Sequence, residues 1–212
     1  MEFIHPDIQQ YAEDMTTAES PLLAELNRKT YLEVLYPRML SGHLQGRMLA
    51  MFSQMIQPKR ILEVGTYTGY SALCLAEGLQ PGGKLITIDI NAELEDMVMD
   101  YAEKAGFADR IDMRVGNAME IVPTVEGPID LVFLDADKSN YKNYFDLAFP
   151  NIRPGGFVLA DNVLWSGDVL NAEKQDKETT GLRIFNEYIA GHDGVEQVLL
   201  PVRDGITVVR KK

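Results

Sequence analysis

Three side chains with hard oxygen donors stand at the ends of two apolar runs. Asp135 follows Ile129–Leu134, and Asp161 and Asn162 follow Gly156–Ala160. Short apolar runs bounded by turn residues read as buried strands, and the carboxyl ends of parallel strands gather at one edge of an α/β sheet. Asp135, Asp161 and Asn162 can therefore converge. Two carboxylates and an amide, without histidine or thiolate, suit Mg²⁺ first, with Ca²⁺ and Mn²⁺ as alternatives, and leave coordination positions for water or substrate. One strand-end aspartate is most often a cap or turn residue; two such ends beside a glycine turn argue for a site. Lys138 follows Asp135 by three residues. It can accept a proton if burial and a neighbouring dication lower its pKa, and otherwise reads as a solvated surface lysine. Trp165, the single tryptophan, reads equally as an aromatic wall for a substrate or as loop packing, and Tyr141 is open in the same way.

A second feature is Glu63-Val64-Gly65-Thr66-Tyr67-Thr68-Gly69-Tyr70-Ser71, in which an apolar run from Arg60 meets an acid and two glycines and continues into the helix-compatible Ala72–Ala76. A strand, tight turn and helix form the first unit of a doubly wound domain, with its ligand outside the strand's carboxyl end. Three residues separate the two glycines, so the spacing is not the G-x-G-x-x-G of a dinucleotide loop, and no Gly-Lys-Ser/Thr follows as in a P-loop. The acid at Glu63 favours a cationic ligand over a phosphate. The plain alternative is a strand-to-helix turn in which glycine supplies positive φ. Asp89 ends the next apolar run, Lys84–Asp89, at the distance where α/β cofactor domains place a carboxylate on ribose hydroxyls; as a bland alternative it caps a helix over Ala92–Ala105, a task Asn91 could also perform.

The elements that must position these residues follow from periodicity. Strands are expected at Ile111–Gly116, followed by Asn117-Ala118, and at the runs already named; the strand before Asp161 follows a Pro154-Gly155 turn. Helical stretches at Tyr141–Phe149 and Thr180–Ala190 alternate with them, which predicts a mainly parallel sheet. Val195–Pro201, Arg203-Asp204-Gly205 and Ile206–Val209 read as a hairpin. Residues 1–57 are helix-forming without a strand, with Ser20 as cap and Pro21 in the first turn of one helix. One domain over residues 1–212, with 1–57 as a helical appendage, is the expectation for this length.

The net charge of −12 disfavours a polyanionic partner, since phosphate neutralisation dominates nucleic-acid affinity and only Arg210-Lys211-Lys212 clusters basic residues. The single cysteine, Cys74, allows no intrachain disulfide and suits a reducing, cytoplasmic setting. Neither a signal peptide nor an uncharged run of membrane-spanning length is visible, so a soluble protein is expected.

The glycine turn resembles motif I of class I S-adenosylmethionine (SAM) methyltransferases. Together with Leu134-Asp135-Ala136-Asp137-Lys138 and Ala160-Asp161-Asn162-Val163-Leu164-Trp165 with Gly167, it is similar to the cation-dependent O-methyltransferases of the caffeoyl-CoA and catechol type. The likeness runs from Met39-Leu40-Ser41-Gly42 to the Asp204-Gly205 turn. It implies a Rossmann-like fold, a mainly parallel seven-stranded sheet with a C-terminal antiparallel hairpin and helices on both faces. It implies SAM held by Gly65 and Ser71 at its methionine end, by Asp89 at the ribose and by Asn117-Ala118 at the adenine, with Met39, Glu63, Tyr67, Thr68 and Asp135 around it. Asp135, Asp161 and Asn162 would hold the cation, Lys138 would be the base, and Leu40, Tyr141 and Trp165 would line the acceptor site. Aspartate is more common in the family where Asn117 stands. The implied reaction is methylation of one hydroxyl of a small vicinal dihydroxy-aromatic compound by a homodimer. A phenol is mostly neutral at pH 7, and chelation of adjacent hydroxyls would ionise and position it. Alternatives are methylation of a hydroxylated transfer-RNA base, an NAD-dependent oxidoreductase, which the glycine spacing disfavours, and a SAM-binding protein without activity.

Overall fold

The structure, a computed structural model, describes residues 4–212. Three helices come first: α1 (Pro6–Asp14), α2 (Pro21–Glu33) and α3 (Gly42–Ile56). Ser20 caps α2, its hydroxyl accepting from Leu23 N, with Pro21 in the first turn. Alternating units follow: β1 (Arg60–Val64), α4 (Tyr70–Ala76), β2 (Lys84–Asp89), α5 (Glu95–Lys104), β3 (Ile111–Val115), α6 (Ala118–Ile121), β4 (Ile129–Leu134), α7 (Tyr141–Ala148), β5 (Ile152–Asp161), α8 (Lys177–Ala190), β6 (Val195–Leu200) and β7 (Ile206–Lys211).

The seven strands form one sheet in the order β3-β2-β1-β4-β5-β7-β6. β1 to β5 pair in parallel, and β7 runs antiparallel to both β5 and β6. The order reverses between β1 and β4, so the switch-point crevice opens beside Gly65 and Asp135. Neighbouring residues on the central strands point to opposite faces, yet both faces are buried: Leu62, Val132 and Leu134 join a core with Tyr144, Phe145 and Phe185, whereas Ile61, Leu131 and Phe133 join one with Leu26, Leu49 and Leu75. That is why these strands read as continuous apolar runs rather than alternating ones.

Three boundaries differ from expectation. β5 begins at Ile152, so Pro154-Gly155 lies within the strand, where a shift of register between Ile129 and Leu131 takes up the irregularity. The helix expected from Ala92 opens as a 3₁₀ turn capped by Asn91 before α5. α8 starts at Lys177 because Asp176 accepts from Thr179 N as its cap.

The N-terminal helices are unequal. α1 buries no residue, α2 buries Leu23 and Leu26, and α3 lies against α4, where Ser53 Oγ donates to Leu75 O at 2.6 Å. Part of the helical leader is therefore core. Among the described residues no helix is long and apolar enough to cross a membrane.

Candidate active site

The carboxyl ends of the parallel strands floor one cleft of about 1830 Å³. A site for one small molecule usually occupies roughly 300–1,000 Å³, so this cleft has room for two ligands side by side.

Its β1 and β2 end is built mainly by backbone. Gly65 adopts φ +102°, and any Cβ there would sit 2.3 Å from the Asp135 carbonyl oxygen, so the turn requires glycine on both counts. Asp89 Oδ2 accepts from Thr66 N (3.0 Å) and Tyr67 N (2.7 Å), and Oδ1 accepts from Asn91 N (2.9 Å). The helix-cap task belongs to Asn91, which accepts from Glu93 N; Asp89 ties β2 to the glycine turn. Beneath the floor, Glu63 is fully buried and takes a 2.6 Å hydrogen bond from Thr87 Oγ1. Burial pushes its carboxyl up to about 8, against the pull of the Ser71 and Thr87 hydroxyls.

The β4 and β5 end is built by side chains. Lys138 opens the 3₁₀ turn before α7 and is 7% exposed, so the reading of a solvated surface lysine is overturned. Its burial has a cause in α8: Gly181 packs against this turn so closely that a Cβ would lie 2.6 Å from Ser139 Cα. Lys138 Nζ donates to Asp135 Oδ1 at 2.7 Å and to the Tyr141 hydroxyl at 2.8 Å. Burial pushes Asp135 up to about 6; Lys138 opposes the rise and Asp161 adds to it. Asp161, 3% exposed, accepts from Asn162 N at Oδ1 (2.8 Å) and from Gln45 Nε2 at Oδ2 (2.6 Å). Asn162, Trp165 and Ser166 all adopt positive φ, a concentration of strained backbone of the kind that persists where surroundings enforce it.

The cleft brings most of the sequence-predicted residues together. Met39, Leu40, Gly65, Tyr67, Ser71 and Asp89 line it from one side. Asn117 and Ala118, beyond β3, line it next to Asp89, and Asp135, Lys138, Asp161 and Asn162 line it at the β4 and β5 end. Trp165 lines it while also packing against the core, which joins the two readings left open for it. Asn117 already works as the cap of α6, accepting from Met119 N at 3.0 Å.

Three expectations need correction. Tyr141 lies behind the cleft lining rather than in it: its ring is 0% exposed, packed edge-on to Phe185. Its hydroxyl accepts from Lys138 and lies 3.0 Å from two carbonyl acceptors, Leu134 O and Asp161 O. Thr68 turns away from the cleft, fully buried, and its hydroxyl accepts from Thr30 of α2. Glu63 lies under the floor rather than on it, because its strand position points it into the layer where Thr87 sits.

Gln45 of α3 and Arg203 of the β6–β7 turn, both in the cleft, went unrecognised in the sequence. Gln45 stands in helical register with the buried Leu49 and Ser53, so a polar residue on a core stripe was the available signal. Arg203 offered none beyond its place beside Asp204-Gly205.

Among the described residues no cluster of three or more His, Cys, Asp or Glu side chains is set for a metal ion; the donor set expected from the sequence is two carboxylates and an amide, Asp135, Asp161 and Asn162, all of which line this cleft. Its chemistry fits a hard cation: oxygen donors only, with two carboxylates brought together under burial.

The O-methyltransferase family model matches residues 13–212. The chain is 32% identical over 198 residues to a catechol O-methyltransferase of Niastella koreensis, covering 92% of this chain and 86% of that protein. It is 36% identical over 178 residues to caffeoyl-CoA O-methyltransferase 1 of Eucalyptus globulus, covering 79% of this chain and 72% of that one. Among solved structures, the O-methyltransferase TomG of Streptomyces achromogenes, in complex with SAM, superposes with a TM-score of 0.90 at 30% identity, covering 97% of this chain and 96% of that one.

Proposed function

The chain belongs to the O-methyltransferase family, and on that premise we propose that it transfers the methyl group of SAM to one hydroxyl of a small vicinal dihydroxy-aromatic compound, catechol or caffeoyl-like, with a divalent cation at Asp135, Asp161 and Asn162. The observation that carries this reading is the convergence, in one cleft with the glycine turn, of two strand-end carboxylates and a buried lysine.

SAM would occupy the β1 and β2 end, with the backbone at Gly65 and the Ser71 hydroxyl at the methionine part, Asp89 at the ribose, and Asn117-Ala118 at the adenine. Asp89 is held by three backbone N–H groups, so its carboxylate is oriented before any ligand arrives. Asp135, Asp161 and Asn162 would hold a dication, which would supply Lewis-acid chemistry that lowers the pKa of a phenol. Lys138 stands between Asp135 and Tyr141 and takes the phenolic proton onto Nζ. Trp165 and Leu40 exclude water beside the acceptor ring. Among several anionic side chains the chain offers a sulfonium ligand a favourable field.

We place the protein in a reducing, cytoplasmic setting, consistent with its buried free Cys74, and expect a homodimer, for which the exposed Tyr31, Leu32, Leu35 and Tyr36 give apolar surface.

The test is transfer of label from methyl-labelled SAM, in the presence of Mg²⁺, to a panel of catechols, dihydroxybenzoates, hydroxycinnamoyl thioesters, flavonoids and RNA. Label on one oxygen of a vicinal diol is expected. Label in RNA alone, or in none of the dihydroxy-aromatics, contradicts the reading.

A further inference from the structure

Gln45 is 1% exposed, sits in the first turn of the sequence-distant helix α3, and bonds at both ends of its amide. Its Nε2 donates to Asp161 Oδ2 at 2.6 Å, and its Oε1 accepts from Arg203 Nη1 at 2.6 Å. A carboxylate only accepts and a guanidinium only donates, so one orientation of the amide satisfies both and the other satisfies neither. The amide is therefore a directional relay between a charge of each sign.

Its position gives that relay a task. Asp161 has one N–H donor on each carboxylate oxygen, Asn162 N on Oδ1 and Gln45 on Oδ2. Those two bonds fix the plane of the carboxylate and still leave lone pairs free on both oxygens. Arg203 faces the same acids, contributing to the field at Asp135 and Asp204, and forms no ion pair closer than 4 Å with any described residue, being tied to the neutral amide instead. Without an amide between them, the guanidinium and the Asp161 carboxylate would be free to pair directly, occupying the oxygens a cation needs. A leucine or methionine would fill this helix position without desolvating an amide, so packing alone does not account for glutamine here.

We infer that Gln45 is a positioning residue for the cation site, holding Asp161 in its ligating orientation and keeping Arg203 from neutralising it. The inference rests on the cation-dependent reading of the cleft. Outer partners of this kind are worth about 10- to 100-fold in metal affinity, and neither hydrogen bond of Gln45 goes to the glycine turn or to Asp89. Its removal should therefore weaken the cation and spare SAM.

Mn²⁺ binding, followed by the electron paramagnetic resonance of the free ion, and SAM binding, followed by calorimetry, are measured on the wild-type chain and on Gln45→Met and Arg203→Lys. Gln45→Met is expected to raise the Mn²⁺ dissociation constant about 10- to 100-fold while SAM affinity stays within about twofold. Arg203→Lys keeps the positive charge beside the acids and loosens only the hold on the far end of the amide, and a smaller rise of about 3- to 10-fold is expected. Because Gln45→Met leaves a buried carboxylate short of a donor and can fail to fold, the Arg203 variant, on a turn, carries the test by itself in that event. Wild-type Mn²⁺ affinity in every variant that folds overturns the inference alone. A wild-type chain that binds no Mn²⁺ removes the cation reading and the inference together.

Discussion

The two ends of the cleft are built on different principles. At the β1 and β2 end, twenty-odd residues of continuous chain supply the turn and the acid, and the acid is held by three backbone N–H groups. At the β4 and β5 end the groups come from α3, two strand ends, the turn before α7 and the C-terminal hairpin, and the bonds between them are made by side chains across separations of 116 and 158 residues. Backbone donors survive every substitution except proline, whereas side-chain donors are lost with the side chain. The first end should therefore yield graded losses when altered, and the second abrupt ones.

Lys138 tests that contrast most severely. Lys138→Ala is expected to lower kcat by about 10² to 10⁴ at neutral pH with little change in SAM affinity, because the loss falls in the proton-transfer transition state. The deficit should shrink toward higher pH as hydroxide takes the place of the amine. A pH–rate profile for the variant parallel to wild type and within a few-fold of it would mean that Lys138 only positions the acceptor.

Asp89 measures the other end. Asp89→Ala removes the tie to Thr66 and Tyr67 together with the charge-assisted bonds proposed to ribose, and a loss of roughly 1.5 to 3 kcal/mol, about one to two decades of SAM affinity, is expected. Cation affinity should not move. Calorimetry with unchanged SAM affinity would reduce Asp89 to a strut for the turn.

Tyr141→Phe separates contact from support. The hydroxyl removed holds Lys138 from within the core, so kcat should fall a few-fold, on the order of 1 kcal/mol for one hydrogen bond, while KM for the acceptor stays the same. A raised acceptor KM with unchanged kcat would restore Tyr141 to the substrate wall.

The smallest effect concerns Glu63 and pH. Its ordinary value of 4.5 is raised to about 8 in the fold, so between those values the folded state holds a proton that the unfolded chain has lost. Folding stability therefore falls as pH rises through that window. Glu63→Gln, which cannot ionise, should match wild type in Tm near pH 5 and exceed it by several degrees near pH 8. Parallel Tm curves from pH 5 to 8 would show that Glu63 is ionised in the fold.

The same contrast explains what could be read from the sequence. Apolar runs ending in Asp135 and Asp161 gave away two strand ends, because a strand buried on both faces needs an unbroken run, and the Gly65 turn is local chemistry. Tyr141 was also legible: with Tyr144, Phe145 and Ala148 it forms a buried stripe at helical spacing, which points it to the core rather than the cleft. Thr68 was not, since nothing local shows that the loop turns its hydroxyl toward Thr30 of another helix. Lys138 could not be told from a surface lysine by its neighbours in sequence; its cover comes from Gly181, 43 positions on. Gln45 and Arg203 meet only because the first long helix and the last hairpin close on the same carboxylate.

The most direct test of the central claim is methyl transfer to a catechol by extensively chelated enzyme, with SAM affinity measured on the same sample. Two separately built ends predict that SAM binds as before, that transfer falls to background, and that added Mg²⁺ or Mn²⁺ restores it; transfer at the full rate by the chelated enzyme would contradict the account.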